Sequence, residues 1–201
     1  MTAFEELVGQ YSQAEGQGRS ASDLKRIEGE IWDKYGMVQA VLVLDMAGFS
    51  RLTQKYGIVH YLSMIHRMHR AVEQPVSRNS GSIVKFEADN MFARLPSTEA
   101  AILSGIEINH VLSGMNTMTS QELDVHVSIG IDFGKFLLIR KKDLFGDPVN
   151  LASRLGEDLA VSGEILVSDG AMKLVPKKKF NTERVSFNVS GQFLDAHKIV
   201  F

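Results

Sequence analysis

The strongest constraint on the fold is the apolar run Val38–Leu44 (VQAVLVL), which stops abruptly at Asp45-Met46-Ala47-Gly48. A short β-branched run bounded by a turn reads as a buried strand. Phe49, Leu52, Tyr56, Val59, Leu62, Ile65, Met68 and Val72 then recur at helical spacing up to Pro75. That periodicity predicts one long helix. Strand, tight turn and helix in that order commit the chain to packing helices on a sheet. Asp45 falls at the junction, where a helix start offers free N–H groups and a positive dipole. Alone, it reads first as a helix cap.

The remaining elements follow from the same reasoning. Ser82–Lys85 and Asn90–Leu95 are expected as short strands around a hairpin at Glu87-Ala88-Asp89, and Ala100–Leu112 as a second helix. Leu123, Val125, Val127, Ile129, Ile131 and Phe133 alternate with polar or small residues, the pattern of a strand with one buried face. Lys135–Ile139 is its expected hairpin partner. A third helix over Val149–Leu159, a strand over Glu164–Val167 and a short helix over Asp169–Leu174 follow. The tail holds strands near Thr182–Val189 and Gln192–Val200, joined at Ser190-Gly191. The order is β-α-β-β-α-β with further strands and a helix. It predicts an α+β fold: a ferredoxin-like antiparallel sheet with helices on one face and additional C-terminal elements.

Residues 37–201 are expected to form this one domain. Residues 1–36 are expected as an N-terminal extension, weakly helical over 1–19 with Gly16 and Gly18 as breakers. An amphipathic helix then starts at Ser22-Asp23 and carries Leu24, Ile27, Ile31 and Tyr35 to Gly36.

Of 201 residues, 44% are hydrophobic and the net charge is −2. That balance argues against a nucleic-acid partner, which needs a basic face to release counterions. The absence of cysteine excludes disulfides and thiolate metal sites. No apolar run approaches the roughly 20 residues of a membrane span, and the polar N-terminus has no signal-peptide core. The expected location is the cytoplasm.

Asp89 alone is ordinary turn chemistry. In a βαβ arrangement, however, the strand ending at Asp45 and the hairpin holding Asp89 are sheet neighbours. Two adjacent carboxylates repel unless a cation lies between them, and their hard oxygens suit Mg²⁺ or Mn²⁺. Asn150 and Arg154 stand four apart and share a helix face. Arginine is the natural planar donor to phosphate oxygens. Without other signals, the pair reads as a helix-start Asn and a surface Arg.

Three blocks bring these residues into one pattern: VLVLDMAGFS (Val41–Ser50), KFEAD (Lys85–Asp89) and DLFGDPVNLASRL (Asp143–Leu155). Their order and content resemble the signature blocks of class III adenylate/guanylate cyclases, over about residues 38–175. The resemblance implies that Asp45 and Asp89 hold two Mg²⁺ or Mn²⁺ ions, and that the backbone of Met46, Ala47, Gly48 and Phe49 cradles the β- and γ-phosphates. It implies that Lys85 and Asp143 read the base, Asn150 orients the ribose and Arg154 steadies the α-phosphate. In that family the metal aspartates come from one protomer and the other four residues from its partner. A homodimer with two equivalent sites is therefore implied.

A lysine donor and an aspartate acceptor complement the N1 and C6-amino groups of adenine, whereas guanine presents the reverse polarity. The expected reaction is ATP to 3′,5′-cyclic AMP and pyrophosphate. The alternatives are a weak or silent cyclase-homology domain that binds nucleotide or dimerises, or a guanylate cyclase. Two features depart from the family: Ala88 where glycine usually precedes the second aspartate, and a short segment from Gly134 to Asp143.

Overall fold

The computed structural model describes residues 2–189 and 191–201, without the side chains of residues 49–51, 189 and 192. The chain runs α1 (Ala3–Gly16), α2 (Ala21–Tyr35), β1 (Gly36–Met46), α3 (Phe49–Tyr56), α4 (Ile58–Arg78), β2 (Ser82–Glu87), β3 (Asn90–Leu95), α5 (Thr98–Asn116), β4 (Val127–Ile139), β5 (Asp143–Phe145), α6 (Asp147–Ser153), β6 (Ile165–Ser168), α7 (Asp169–Met172), β7 (Asn181–Val189) and β8 (Gln192–Val200).

The sheet order is β2-β3-β1-β4-β6-β8-β7, with β5 paired to β4. The first four strands have the ferredoxin-like order, and each neighbouring pair among them is antiparallel. The α+β expectation therefore holds. Beyond the core the sheet becomes mixed, because β4 and β6 run parallel.

β1 explains why its sequence is a continuous apolar run. Ala40, Leu42, Leu44 and Met46 face α4 and α5, while Val41 and Val43 face α6. Both faces of the strand are covered, so neither alternates with polar residues. The expectation of helices on one face only is corrected accordingly: α6 lies on the opposite face. Its approach is set by glycines. A Cβ on Gly130 of β4 would overlap the carbonyl oxygen of Ala152 and the backbone nitrogen of Gly156. A Cβ on Gly156 would stand 2.8 Å from the Gly130 nitrogen and 2.9 Å from the Val43 oxygen. After Ser153 the helix widens into a π-helical turn over Arg154–Leu159, within which Gly156 sits.

Several boundaries differ from the sequence expectation for identifiable reasons. The expected single helix after Asp45 is two, broken at Gly57, whose φ is +86°. The break resets the helical phase. Val59 and Leu62 are consequently 77% and 53% exposed, while Tyr61, Met64, Met68 and Val72 form the buried stripe. The expected hairpin between Leu123–Phe133 and Lys135–Ile139 is one continuous strand, β4. Gly134 makes no turn; a Cβ there would come within 2.7 Å of Pro148 Cγ at the start of α6. The true hairpin partner is β5, reached through Arg140 and Lys141 with φ of 53° and 57°. Leu123 closes a 3₁₀ turn before the strand begins.

The N-terminal segment is more ordered than its sequence suggested. Thr2 and Glu5 form a capping box, with Thr2 N–H donating to Glu5 at 2.7 Å and Glu5 N–H to Thr2 Oγ1 at 3.1 Å. Helices α1 and α2 then pack Ala14, Ile27 and Ile31 together with Leu137 of β4. Lys135 lies 4.2 Å from the centroid of the Trp32 ring. Ser190, half of the expected Ser190-Gly191 joint, lies outside the described residues. Among the described residues no helix is long and apolar enough to cross a membrane.

Candidate active site

Asp45 sits one residue before the end of β1, opposite Asn90 of β3 and Ser128 of β4. Asp89 is next to Asn90, in the two-residue turn of the β2–β3 hairpin. The register thus brings the two carboxylates to the same end of neighbouring strands. Burial, then the charge of Asp89, then that of Glu157, raise the Asp45 pKa to about 7. Glu157, on the π-helical turn, is itself raised, chiefly by burial, with Asp158, Glu87 and Asp89 adding to it. A carboxyl raised this far beside other carboxylates is short of positive charge, which is the condition a divalent cation relieves. Among the described residues no group of three or more His, Cys, Asp or Glu side chains is arranged to hold a metal. Two carboxylates alone fill only part of the oxygen shell that a hard cation takes.

Tyr61 of α4 donates from its hydroxyl to Asp89 Oδ2 at 2.8 Å, and the same hydroxyl lies 3.5 Å from the Met46 carbonyl oxygen. Its ring is fully buried. Burial, then the hydrogen bond to Asp89 and that carboxylate's charge, raise its pKa far above the ordinary phenol. The sequence reading missed Tyr61. Its signal was the helical phase after Gly57, not any motif.

Between the aspartates and α3 lie Met46, Ala47 and Gly48. The Ala47 N–H is already used, donating to the His126 carbonyl at 2.9 Å. Gly48 adopts φ +96°, and no side chain caps the first turn of α3. The N–H groups at that helix start are thus the ones left to meet an anion. The Phe49 side chain lies outside the described residues.

A second group assembles elsewhere on the same chain. Lys85 of β2 reaches Asp143 Oδ1 of β5 at 3.0 Å and Glu87 Oε2 at 2.8 Å. Its ammonium lies 4.8 Å from the centroid of the Phe92 ring. Burial alone would depress the lysine, but the hydrogen bonds to Glu87 and Asp143 outweigh it and raise its pKa. Asn150 on α6 and Arg154 at the start of the π-helical turn are both exposed and, with Asp147 and Leu151, line an open cleft. None of these four residues makes a hydrogen bond or ion pair to Asp45 or Asp89 among the described contacts. A groove of about 420 Å³ between α4 and α5, lined in part by Arg67, Arg70 and Arg78, shares none of the six residues.

Ala88 carries the one strained backbone in the site, with φ +53°. Left-handed φ costs a residue with a Cβ about 1 kcal/mol and costs glycine almost nothing. Ala88→Gly is expected to stabilise the protein by about 1 kcal/mol, read as a rise in urea midpoint at constant m-value. An unchanged or lower midpoint would refute the strain assignment.

Residues 33–199 match the adenylate and guanylate cyclase catalytic domain model, and the chain belongs to that family. It is 26% identical over 136 residues to a putative adenylate cyclase 3 of Rhizobium meliloti (strain 1021), covering 68% of this chain and 23% of that protein. The chain thus spans about a quarter of that relative's length. Among solved structures, an adenylate/guanylate cyclase/hydrolase from Silicibacter pomeroyi superposes with a TM-score of 0.67 at 27% identity, over 82% of this chain and 97% of that one. The catalytic core of a rhodopsin-guanylyl cyclase with converted specificity, in complex with ATPαS, gives a TM-score of 0.70 at 18% identity, over 82% and 98%.

Proposed function

We propose that residues 37–201 are an adenylate cyclase unit that converts ATP to 3′,5′-cyclic AMP and pyrophosphate at sites shared across a homodimer. The observation that carries this reading is the Lys85–Asp143 pair, 3.0 Å apart. Lysine can only donate and an ionised aspartate can only accept. Together they match the N1 acceptor and C6-amino donor of adenine. Guanine would present an N1 donor to the lysine and an O6 acceptor to the aspartate, leaving both unsatisfied. A site built around one hydrogen-bonding edge rejects the other strongly.

Asp45 and Asp89 are the residues that would hold Mg²⁺ or Mn²⁺, two ions per site. Such ions supply Lewis-acid activation of the ribose 3′-oxygen and neutralise triphosphate charge. Tyr61 holds Asp89 in place through its hydroxyl. The N–H groups at the start of α3 donate to the oxygens of the terminal phosphates. Asn150 orients the ribose so that its 3′-oxygen lies in line with the α-phosphorus. The 3′-hydroxyl gives its proton to water, and the new bond forms between that oxygen and the α-phosphorus as the bond from the α-phosphorus to the bridging oxygen of the β-phosphate breaks. Arg154 meets the charge that builds on the α-phosphoryl oxygens as pyrophosphate departs. Metal carboxylates and base-reading residues occupy separate groups within one chain, which supports a partner chain completing each site.

The test is direct. Purified protein, shown to be dimeric, is incubated with ATP or GTP and Mg²⁺ or Mn²⁺. Cyclic AMP is expected to exceed cyclic GMP. Absence of product from both nucleotides would sink the enzyme reading in favour of a silent nucleotide-binding or dimerisation module, the reading that the strained Ala88 favours. Cyclic GMP in excess would replace adenylate by guanylate cyclase.

The raised Asp45 pKa gives a second test without nucleotide. A carboxyl with a raised folded pKa binds its proton more tightly folded than unfolded, so stability from this group falls as pH rises from about 4 through 7. Cations compete with that proton. Mg²⁺ should therefore raise the melting temperature at about pH 8 and much less at about pH 5.5. Equal shifts at both would argue against cation binding by these carboxylates.

A further inference from the structure

We propose that Glu87 is a positioning residue for base selection: it fixes the direction of the one Lys85 N–H that remains for substrate. The proposal rests on the base-reading role of Lys85 and Asp143. Lys85 and Glu87 are two apart on β2, so their side chains leave the same face of the strand. The ammonium has three N–H donors. One serves Glu87 Oε2 at 2.8 Å and one serves Asp143 Oδ1 at 3.0 Å. The Phe92 ring lies against it, 4.8 Å away at the centroid. Two carboxylates and an aromatic ring leave one donor, and they leave it one direction.

Asp143 is arranged to match. Its Oδ1 already accepts from Lys85 and, at 2.9 Å, from the Leu144 N–H. Oδ2 is thus the oxygen left for an exocyclic amino group. The pair presents one donor and one acceptor, the edge that adenine requires. Without Glu87 the lysine is a compact charge on a flexible four-carbon stem, held by Asp143 and the face of Phe92 but no longer from the Glu87 side. It could then turn toward a neighbouring acceptor, such as the O6 of guanine. Glu87 need not touch the nucleotide for this role; it removes the alternative lysine orientations.

The experiment uses the intact dimer with Mn²⁺ and the unreactive probes 3′-deoxy-ATP and 3′-deoxy-GTP, with affinities measured by titration calorimetry. Wild type is compared with Glu87→Ala, Glu87→Gln and Lys85→Ala, and melting temperatures are recorded for all. Glu87→Ala is expected to lower the ATP-over-GTP affinity ratio about tenfold, the scale of one charge-assisted hydrogen bond losing its orientation. Glu87→Gln, which keeps an acceptor oxygen, should fall between Glu87→Ala and wild type. A purely structural role for Glu87 would weaken both probes equally and leave the ratio unchanged. If Lys85→Ala abolishes the preference while both Glu87 variants keep it, the positioning role is overturned and the base-reading pair stands. If Lys85→Ala keeps the preference, the base-reading pair itself fails and the proposal falls with it. If neither probe binds wild type, the cyclase reading and this proposal are both overturned.

Discussion

Mixing Asp45→Ala chains with Asn150→Ala chains is expected to restore about a quarter of wild-type activity, although each variant alone falls at least about 100-fold. The reason is combinatorial. Half of randomly paired dimers are mixed, and each mixed dimer has one site with both lesions and one site with neither. Asp45 belongs to the carboxylate group at the end of β1, and Asn150 to the exposed face of α6. The readout is cyclic nucleotide formed after the two purified proteins are exchanged, with two affinity tags used to verify that mixed dimers form. No recovery in verified mixed dimers would overturn the shared-site arrangement. Recovery rising from a quarter toward a half would show that mixed dimers form in preference to matched ones.

Gly130→Ala should be the most damaging of the conservative substitutions. The added methyl would overlap the Ala152 carbonyl oxygen and the Gly156 nitrogen. Both are backbone atoms, so no rotamer change relieves the clash; α6 and its π-helical turn must lift from β4. Overpacking of this kind costs about 3 kcal/mol, which in a domain of this size lowers the melting temperature by roughly 10 °C. The lift also carries Asn150 and Arg154 away from their positions, so activity should fall even at temperatures where the variant is folded. Gly29→Ala is the control. Gly29 lies within α2, and a Cβ there meets nothing within 4 Å. It should gain about 0.5–1 kcal/mol from helix propensity. Equal stability of the two variants would refute the close-approach argument.

The contrast between these glycines shows what a sequence can and cannot disclose. Val38–Leu44 announced β1 because both faces of the strand are buried, and burial leaves its mark on composition. Lys85, Asp89 and Asp143 stood out only through the resemblance of three short blocks to a known family; alone, a charged residue at a strand end or in a turn is ordinary. Gly134 was misread as a turn because a glycine needed for close approach and a glycine needed for a bend look identical in a string of letters. Only Pro148, arriving from α6, distinguishes them. Gly57 was passed over for the converse reason: helical spacing continued on both sides of it, while the break rotated the buried stripe onto Tyr61. Glu157 was invisible because its link to the carboxylate pair depends on where a π-helical turn places it. In each case the missing information was a tertiary neighbour, which local patterning does not encode.

The β2–β3 hairpin carries Lys85 and Asp89 four residues apart, and with shared sites these serve two different reaction centres. This bears on inheritance. A chain damaged only on α6 can still lend its aspartates to a normal partner, so coexpressed normal and damaged copies lose activity in proportion to dose. A chain whose hairpin is misfolded lends nothing to either centre, and every mixed dimer it enters is dead. At equal expression only about a quarter of dimers escape. Lesions that misfold this hairpin should therefore act dominantly, while single side-chain losses on it or on α6 act additively.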